Sequence, residues 1–122
     1  MTLEDAAVEC KPTELFQLLW ETLNDIMGSA ATATLVRRAV KHASTRSSGC
    51  DGLCVIRERY EYRYALPESW STAPDDGLAS LRLLATELRP LLFELTGRVV
   101  LRRLHEVPQL DRCGLFNSEV CR

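Results

Sequence analysis

Apolar residues recur every three or four positions over residues 13–27, which predicts a helix with one wide apolar face. Pro12 and Thr13 suit the start of this helix, with Thr13 as the N-cap and Glu14 placed where the helix dipole favours an acid. Because the apolar face is wide, we expect other elements to cover it from two directions. Its members are Leu15, Phe16, Leu19, Trp20, Leu23, Ile26 and Met27.

A second amphipathic segment follows over residues 29–43. Gly28 suits the position after a helix end, and Ser29 suits the next N-cap. The small residues of 29–34 would let another backbone approach closely. The pattern predicts a helical hairpin with a two-residue connection. A single kinked helix is the alternative.

The period changes to two over residues 53–66, which predicts one long strand that ends at Pro67. Its tyrosines, at positions 60, 62 and 64, share one face. Its arginines, at positions 57, 59 and 63, share the other.

A stripe of apolar residues at alternating spacings of three and four runs from Leu78 to Leu95, after an N-cap at Asp75 or Asp76. The stripe passes through Pro90 in phase. We therefore expect one helix kinked at this proline, which cannot bond to the carbonyl four residues earlier. Gly97 is expected to end the helix.

Residues 98–104, RVVLRRL, begin with β-branched side chains and predict a second strand. The order α-α-β-α-β predicts a small single α+β domain, with the helical hairpin and the kinked third helix packed on a small sheet. A helix between the strands allows a parallel pair through a right-handed crossover, and an antiparallel return is equally compatible. We expect a flexible lead-in over 1–11, the domain over 12–108 and a weakly patterned tail over 109–122.

Composition narrows the functional classes. The chain has 122 residues and a net charge of -2, which gives no general attraction to nucleic acid or to an anionic membrane. No apolar run is long enough to span a membrane, and the first residues lack the apolar core of a signal peptide. An odd number of cysteines without a secretory signal predicts a cytoplasmic protein with mostly free thiols. These are Cys10, Cys50, Cys54, Cys113 and Cys121.

The arginine face of the long strand is the strongest candidate for binding. Arg57, Arg59 and Arg63 share it with Glu61, and Arg103 would lie beside them if the two strands paired. Such a surface can hold a phosphate, a carboxylate or an acidic partner through charge-assisted hydrogen bonds. The alternative is a solvated sheet face with cross-strand Arg–Glu pairs. The tyrosines lie on the other face, which weakens the case for a nucleic-acid platform.

The remaining chemistry-bearing residues form weaker patterns. Cys50 and Cys54 have a spacing that zinc ligands tolerate, but no second pair or matching histidines accompany them. His42 has no nucleophile or carboxylate at a fixed local spacing, and adjacent His105 and Glu106 would point to opposite faces of a strand. We therefore predict no metal and no cofactor, with a Cys50–Cys54 site as a weak alternative.

A helix-turn-helix over residues 13–43 is disfavoured, because the first helix is long and Arg37, Arg38 and Lys41 fall late in the second.

We expect a non-enzymatic interaction or regulatory module that forms a homodimer, since an exposed strand edge needs a cover. A further protein partner is compatible with this, whereas nucleic acid and membrane are not expected. The alternatives are a small-molecule or anion sensor with an apolar pocket between helices, and a cysteine-based metal or redox protein.

Overall fold

The computed structural model of the chain describes residues 10–116. Over these residues the fold is mostly helical, with one small antiparallel sheet, so the α+β class is confirmed. The elements are α1 (Pro12–Met27), α2 (Ser29–Ser44), a 3-10 turn (Ser48–Cys50), β1 (Cys54–Glu58), β2 (Glu61–Ala65), α3 (Ser69–Thr72), α4 (Pro74–Thr96), α5 (Val99–His105) and α6 (Pro108–Arg112).

The helical hairpin is confirmed, and its connection is the single residue Gly28. With φ at 87°, Gly28 leaves the helical conformation, and its N–H donates to the carbonyl of Asn24 at 2.9 Å. The predicted caps were wrong by one or two positions. The N-cap of α1 is Lys11, because Pro12 takes the first helical position, and Ser29 lies inside α2.

The long strand predicted over 53–66 is a β-hairpin. Strands β1 and β2 pair antiparallel, with Cys54 opposite Ala65 and Glu58 opposite Glu61. The chain reverses at Arg59 and Tyr60, and Arg59 has a left-handed φ of 57°. The prediction failed because this turn lacks the Asn-Gly or Asp-Gly pair that normally marks a two-residue hairpin.

The second strand, expected over 98–104, is helix α5. This helix buries Val100, Leu101 and Leu104, which lie on one face at helical spacing. Packing of that face against the rest of the core overrides the strand preference of the two valines. The sheet therefore ends with the hairpin, and neither of the two pairings considered for 98–104 forms.

Helix α4 is the longest element and the centre of the helical layer. Pro74 takes its first position, so Asp75 and Asp76 lie in the first turn and neither is the N-cap. The helix continues through Pro90, as the in-phase stripe predicts, and ends at Gly97 with φ at 66°. Its buried face packs most extensively against α2, where alanines leave room for close approach.

Trp70 fills the centre of the core, although it belongs to a helix of only four residues. Its side chain is 1% exposed, and its indole N–H donates to the carbonyl of Gly49 at 3.0 Å. Its ring lies 6.2 Å from that of Phe16, edge to face. At Gly77, a β-carbon would stand 2.8 Å from the Trp70 α-carbon, so the backbones of α3 and α4 touch there.

A chain of aromatic rings connects this core to the hairpin. The Tyr64 ring lies 4.6 Å from Phe16 and 5.1 Å from Trp20. Both partners project from α1. Tyr64 therefore anchors β2 to the helical layer, and this contact fixes which face of the sheet points inward.

The segment after α6 packs against α4. Arg82 donates to the carbonyl of Cys113 at 3.0 Å, and Arg89 donates to that of Leu115 at 2.7 Å. The Arg89 guanidinium also lies 5.5 Å from the centre of the Phe116 ring.

A disulfide joins Cys10 to Cys113, with α-carbons 5.7 Å apart. Residues 1–9 and 117–122, which include most of the expected lead-in and the end of the expected tail, lie outside the described residues.

The contact between Gly77 and Trp70 predicts that Gly77→Ala destabilises the domain. In an open helix this change should stabilise by up to about 1 kcal/mol through helix propensity. Here the added methyl group meets backbone, so we expect a net loss of about 1–3 kcal/mol from overpacking. Urea unfolding followed by circular dichroism measures the difference. The control is Ala79→Gly on the exposed side of the same helix, which should cost about 1 kcal/mol. A Gly77→Ala protein more stable than wild type would contradict the contact.

The disulfide predicts a second effect on stability. It joins residues 103 positions apart, so Cys10→Ala should lower the free energy of unfolding by about 2–5 kcal/mol. The matched control is Cys54→Ala, since Cys54 is exposed and unbridged. Equal urea midpoints for the two variants, or a free Cys10 thiol found by mass spectrometry of the purified protein, would contradict the bridge.

Candidate functional site

The hairpin separates the arginines that the sequence places on one face. Residues directly opposite each other in an antiparallel pair share a face. The register therefore puts Arg57 with Tyr62 and Tyr64 on the inner face, and it puts Arg63 with Ile56 on the outer face. Arg59 lies in the turn.

The inner face brings two cations to one ring. The Arg57 guanidinium lies 5.9 Å from the centre of the Tyr62 ring. Arg37, from α2, lies 6.0 Å from the same ring and also donates to the carbonyl of Val55 at 3.1 Å. The sequence does not predict that Arg37 lies beside this face, because a contact between residues 18 positions apart leaves no local pattern.

The outer face carries an ion pair. Arg63 Nε lies 3.1 Å from Glu58 Oε1, and the two side chains are 65% and 59% exposed. An ion pair this exposed contributes at most about 1 kcal/mol. Beside it, the Ile56 side chain is 48% exposed. For Arg63, this is the solvated Arg–Glu arrangement that the sequence left open as an alternative.

Arg103 lies apart from the sheet, because its segment is helical. It is exposed on α5, next to Arg102, which is also exposed. The four predicted binding arginines thus occupy the inner sheet face, the turn, the outer sheet face and a separate helix. The structure does not bring them together on one face.

One edge of strand β2 pairs with no other strand of residues 10–116. Hydrogen bonds alternate along an antiparallel pair, and the pair that closes a two-residue turn is bonded. Since Glu58 and Glu61 close this turn, the N–H and C=O groups of Tyr62 and Tyr64 point away from β1. Among the described hydrogen bonds, none satisfies these outward groups. On the other strand, Arg37 bonds the outward carbonyl of Val55, so that edge is partly covered.

A groove of about 440 Å³ lies beside this edge. Its walls are the α1 residues Gln17, Trp20, Glu21 and Asn24 and the β2 residues 62–64. Burial, and to a lesser extent the nearby Glu21 carboxylate, raise the pKa of Tyr64. The Oδ1 atom of Asn24 is buried and has no hydrogen-bond partner among the described residues. The groove therefore offers aromatic surface together with unsatisfied polar groups.

The sequence predicts that most of the cysteines are free thiols. That expectation was wrong for Cys10 and Cys113, which are bridged. Cys50 is buried and its thiol donates to the Ser80 carbonyl at 3.5 Å, while Cys54 is exposed on β1. Burial, with a smaller contribution from Asp51, raises the pKa of Cys50 to about 11. Within residues 10–116 no three His, Cys, Asp or Glu side chains come together as a metal site.

His42 has an acidic neighbour that the sequence did not reveal. Its Nδ1 lies 3.9 Å from Glu87 Oε1 on α4, and Arg46 Nε lies 3.3 Å from Glu87 Oε2. The Glu87 side chain is only 13% exposed, whereas both basic partners are largely in solvent. This cluster fastens the C-terminal end of α2 to α4, and no local pattern reveals it, because Glu87 is distant in sequence from both basic residues.

Comparison of the chain with known protein families, characterised proteins and solved structures found no match. None of the helices in the described part of the chain is both long and apolar enough to cross a membrane. What the molecule does must therefore be inferred from the geometry of its own surfaces.

The two unbridged thiols predict different reactivities. At pH 8, iodoacetamide should modify Cys54 at least about a hundredfold faster than Cys50, because the reactive thiolate is scarce and shielded at Cys50. The rate at Cys50 should keep rising as the pH approaches about 11. Peptide mass spectrometry of a Cys121→Ser background resolves the two sites. Similar rates at pH 8 in the folded protein would contradict the buried position of Cys50.

Proposed function

We propose that this protein is a non-enzymatic interaction module that forms a homodimer by pairing the open edge of β2 with the same edge of a second copy. One observation carries the proposal: the unbonded backbone groups of Tyr62 and Tyr64 face an open groove. An unpaired strand edge is a ready template for another strand. The resulting four-stranded sheet would leave β1 at each end, where Arg37 already occupies a carbonyl.

The charges along β2 favour one register. If two copies of β2 pair antiparallel around Tyr62, Glu61 of each copy stands opposite Arg63 of the other. Twofold symmetry makes this contact twice, on the outer face. Pairs of opposite charge across strands contribute roughly 0.2–1 kcal/mol each.

Other registers are less favourable. Hydrogen bonding across the edge requires Tyr62 or Tyr64 on both strands, because only these residues point outward. A centre at Arg63 satisfies that requirement but places the two arginines opposite each other, which is destabilising. A centre at Tyr64 places Arg63 opposite Ala65 and gains no charge pair. Charge complementarity therefore supports the Tyr62-centred pair.

The cellular compartment of the protein is a prediction separate from that of the dimer. The prediction of a cytoplasmic location rested on free thiols, and a disulfide such as Cys10–Cys113 persists in oxidising surroundings. The location stays a prediction, and the proposed dimer does not depend on it. The bridge lies between the lead-in and the segment after α6, and the dimer edge belongs to β2.

Charge reversal tests both the dimer and its register. Glu61→Arg alone, or Arg63→Glu alone, should create two like-charge contacts and raise the dimer dissociation constant at least roughly tenfold. The double variant Glu61→Arg/Arg63→Glu should restore dimerisation. Sedimentation velocity across low to high micromolar protein, in phosphate-free buffer, measures the constants.

A control separates the interface from the hairpin itself. Glu58→Gln removes the carboxylate that Arg63 contacts within one copy, and it should leave the dimer unchanged. A wild-type protein that stays monomeric at high micromolar concentration would refute the dimer. A dimer equally stable in all four variants would refute the proposed edge.

A further inference from the structure

Two arginines converge on Tyr62 from different elements. Arg57 reaches the ring from β1, and Arg37 reaches it from α2, each within about 6 Å of the ring centre. Lys41 follows Arg37 by one helical turn, so it projects from the same side of α2. Positive charge is thus concentrated where α2 meets the inner face of the hairpin.

No carboxylate among the described residues forms an ion pair with Arg37 or Arg57. The hairpin has two acids, Glu58 and Glu61, and both lie on the outer face. Glu58 is already paired with Arg63. Two cations held near one ring repel each other, and neither guanidinium has an ion-pair partner among the described residues to offset this repulsion. An anion bound beside them would convert the repulsion into attraction.

The donors needed to hold such an anion are available. A guanidinium lying over an aromatic ring keeps its N–H groups directed outward in its own plane, where they can form paired bonds to an oxyanion. Arg37 uses one terminal nitrogen on the Val55 carbonyl, which also fixes the position of its head group. In Arg57, no described hydrogen bond uses the guanidinium.

We propose that Arg37 and Arg57 form a binding site for a small phosphate-type oxyanion beside Tyr62. Two guanidinium groups, with Lys41 one helical turn after Arg37, match the double charge of a phosphate or a phosphate monoester better than the single charge of a carboxylate. The site uses rigid elements, since α2 packs against α4 and Tyr64 anchors the adjoining strand.

This site is independent of the proposed dimer. The dimer uses the backbone edge of β2 and the outer charges at positions 61 and 63, whereas the oxyanion would bind on the inner face. Arg57→Gln should therefore weaken phosphate binding and leave the dimer unchanged. Arg63→Glu should do the reverse. The two proposals can fail separately.

The test follows the side-chain Nε–H signals of the arginines by nuclear magnetic resonance. Inorganic phosphate is added to the ¹⁵N-labelled full chain, with sodium chloride holding the ionic strength constant. We expect the Arg37 and Arg57 signals to shift and saturate while that of Arg63 does not move. Arg37→Gln and Arg57→Gln should each weaken binding about tenfold, and Arg63→Gln, the matched outer-face control, should have no effect.

Titrations with other anions identify the class of ligand. Phenyl phosphate binding as tightly as inorganic phosphate would indicate a site for organic phosphate monoesters. Binding of inorganic phosphate alone would indicate a site for the free ion. Acetate in place of phosphate should bind at least about tenfold more weakly. Shifts that do not saturate, or that are equal in the Arg57→Gln and Arg63→Gln proteins, would mean nonspecific screening and would overturn the site.

Discussion

The hydrogen bond from Trp70 to Gly49, with the packing around that indole, is the contact on which the rest of the structure depends. Three other segments meet at this side chain: the 3-10 turn through Gly49, the first turn of α4 through Gly77, and α1 through Phe16. A buried indole N–H without an acceptor would cost about 1–3 kcal/mol, so the position of the turn is tied to that of the ring. The close backbone contact at Gly77 adds a steric requirement that only glycine meets.

The orientation of the hairpin follows from that centre. Trp70 packs against Phe16, Phe16 packs against Tyr64, and Tyr64 belongs to β2. Once Tyr64 points inward, alternation along the strand turns Tyr62 inward and Arg63 outward. The surfaces proposed for the dimer and for the oxyanion are therefore consequences of the core. A substitution that displaced Trp70 would therefore alter both surfaces, although Trp70 belongs to neither.

Sequence alone predicted the elements whose pattern is local. The wide apolar stripe of α1, the glycine that separates α1 from α2, and the in-phase stripe through Pro90 each carry their signal within a few turns of helix. The predictions that failed concern features set by contacts between residues distant in sequence. Val99 and Val100 favour a strand until packing buries one side of a helix, and Trp70 lies among proline, serine and threonine residues that are typical of a loop. For the site, Arg57 and Arg63 were named, but their faces and the partner Arg37 depended on how the chain folds back.

The length of the turn determines which residues of the two strands share a face. In one continuous strand, all odd positions share a face, and Arg57 and Arg63 would lie together. Across this turn, each residue of β1 faces a residue of β2 whose number has the opposite parity, since Glu58 is opposite Glu61. Arg57 consequently meets Tyr62 instead of Arg63. Arg63 is left near Glu58, and the sheet acquires a charge-paired outer face and a cationic aromatic inner face. Had the turn included Glu61, so that Glu58 stood opposite Tyr62, Arg57 would stand opposite Arg63 and share its face, as the sequence pattern suggests. A single step in loop length, rather than the composition of the strands, thus determines which chemistry each face can support.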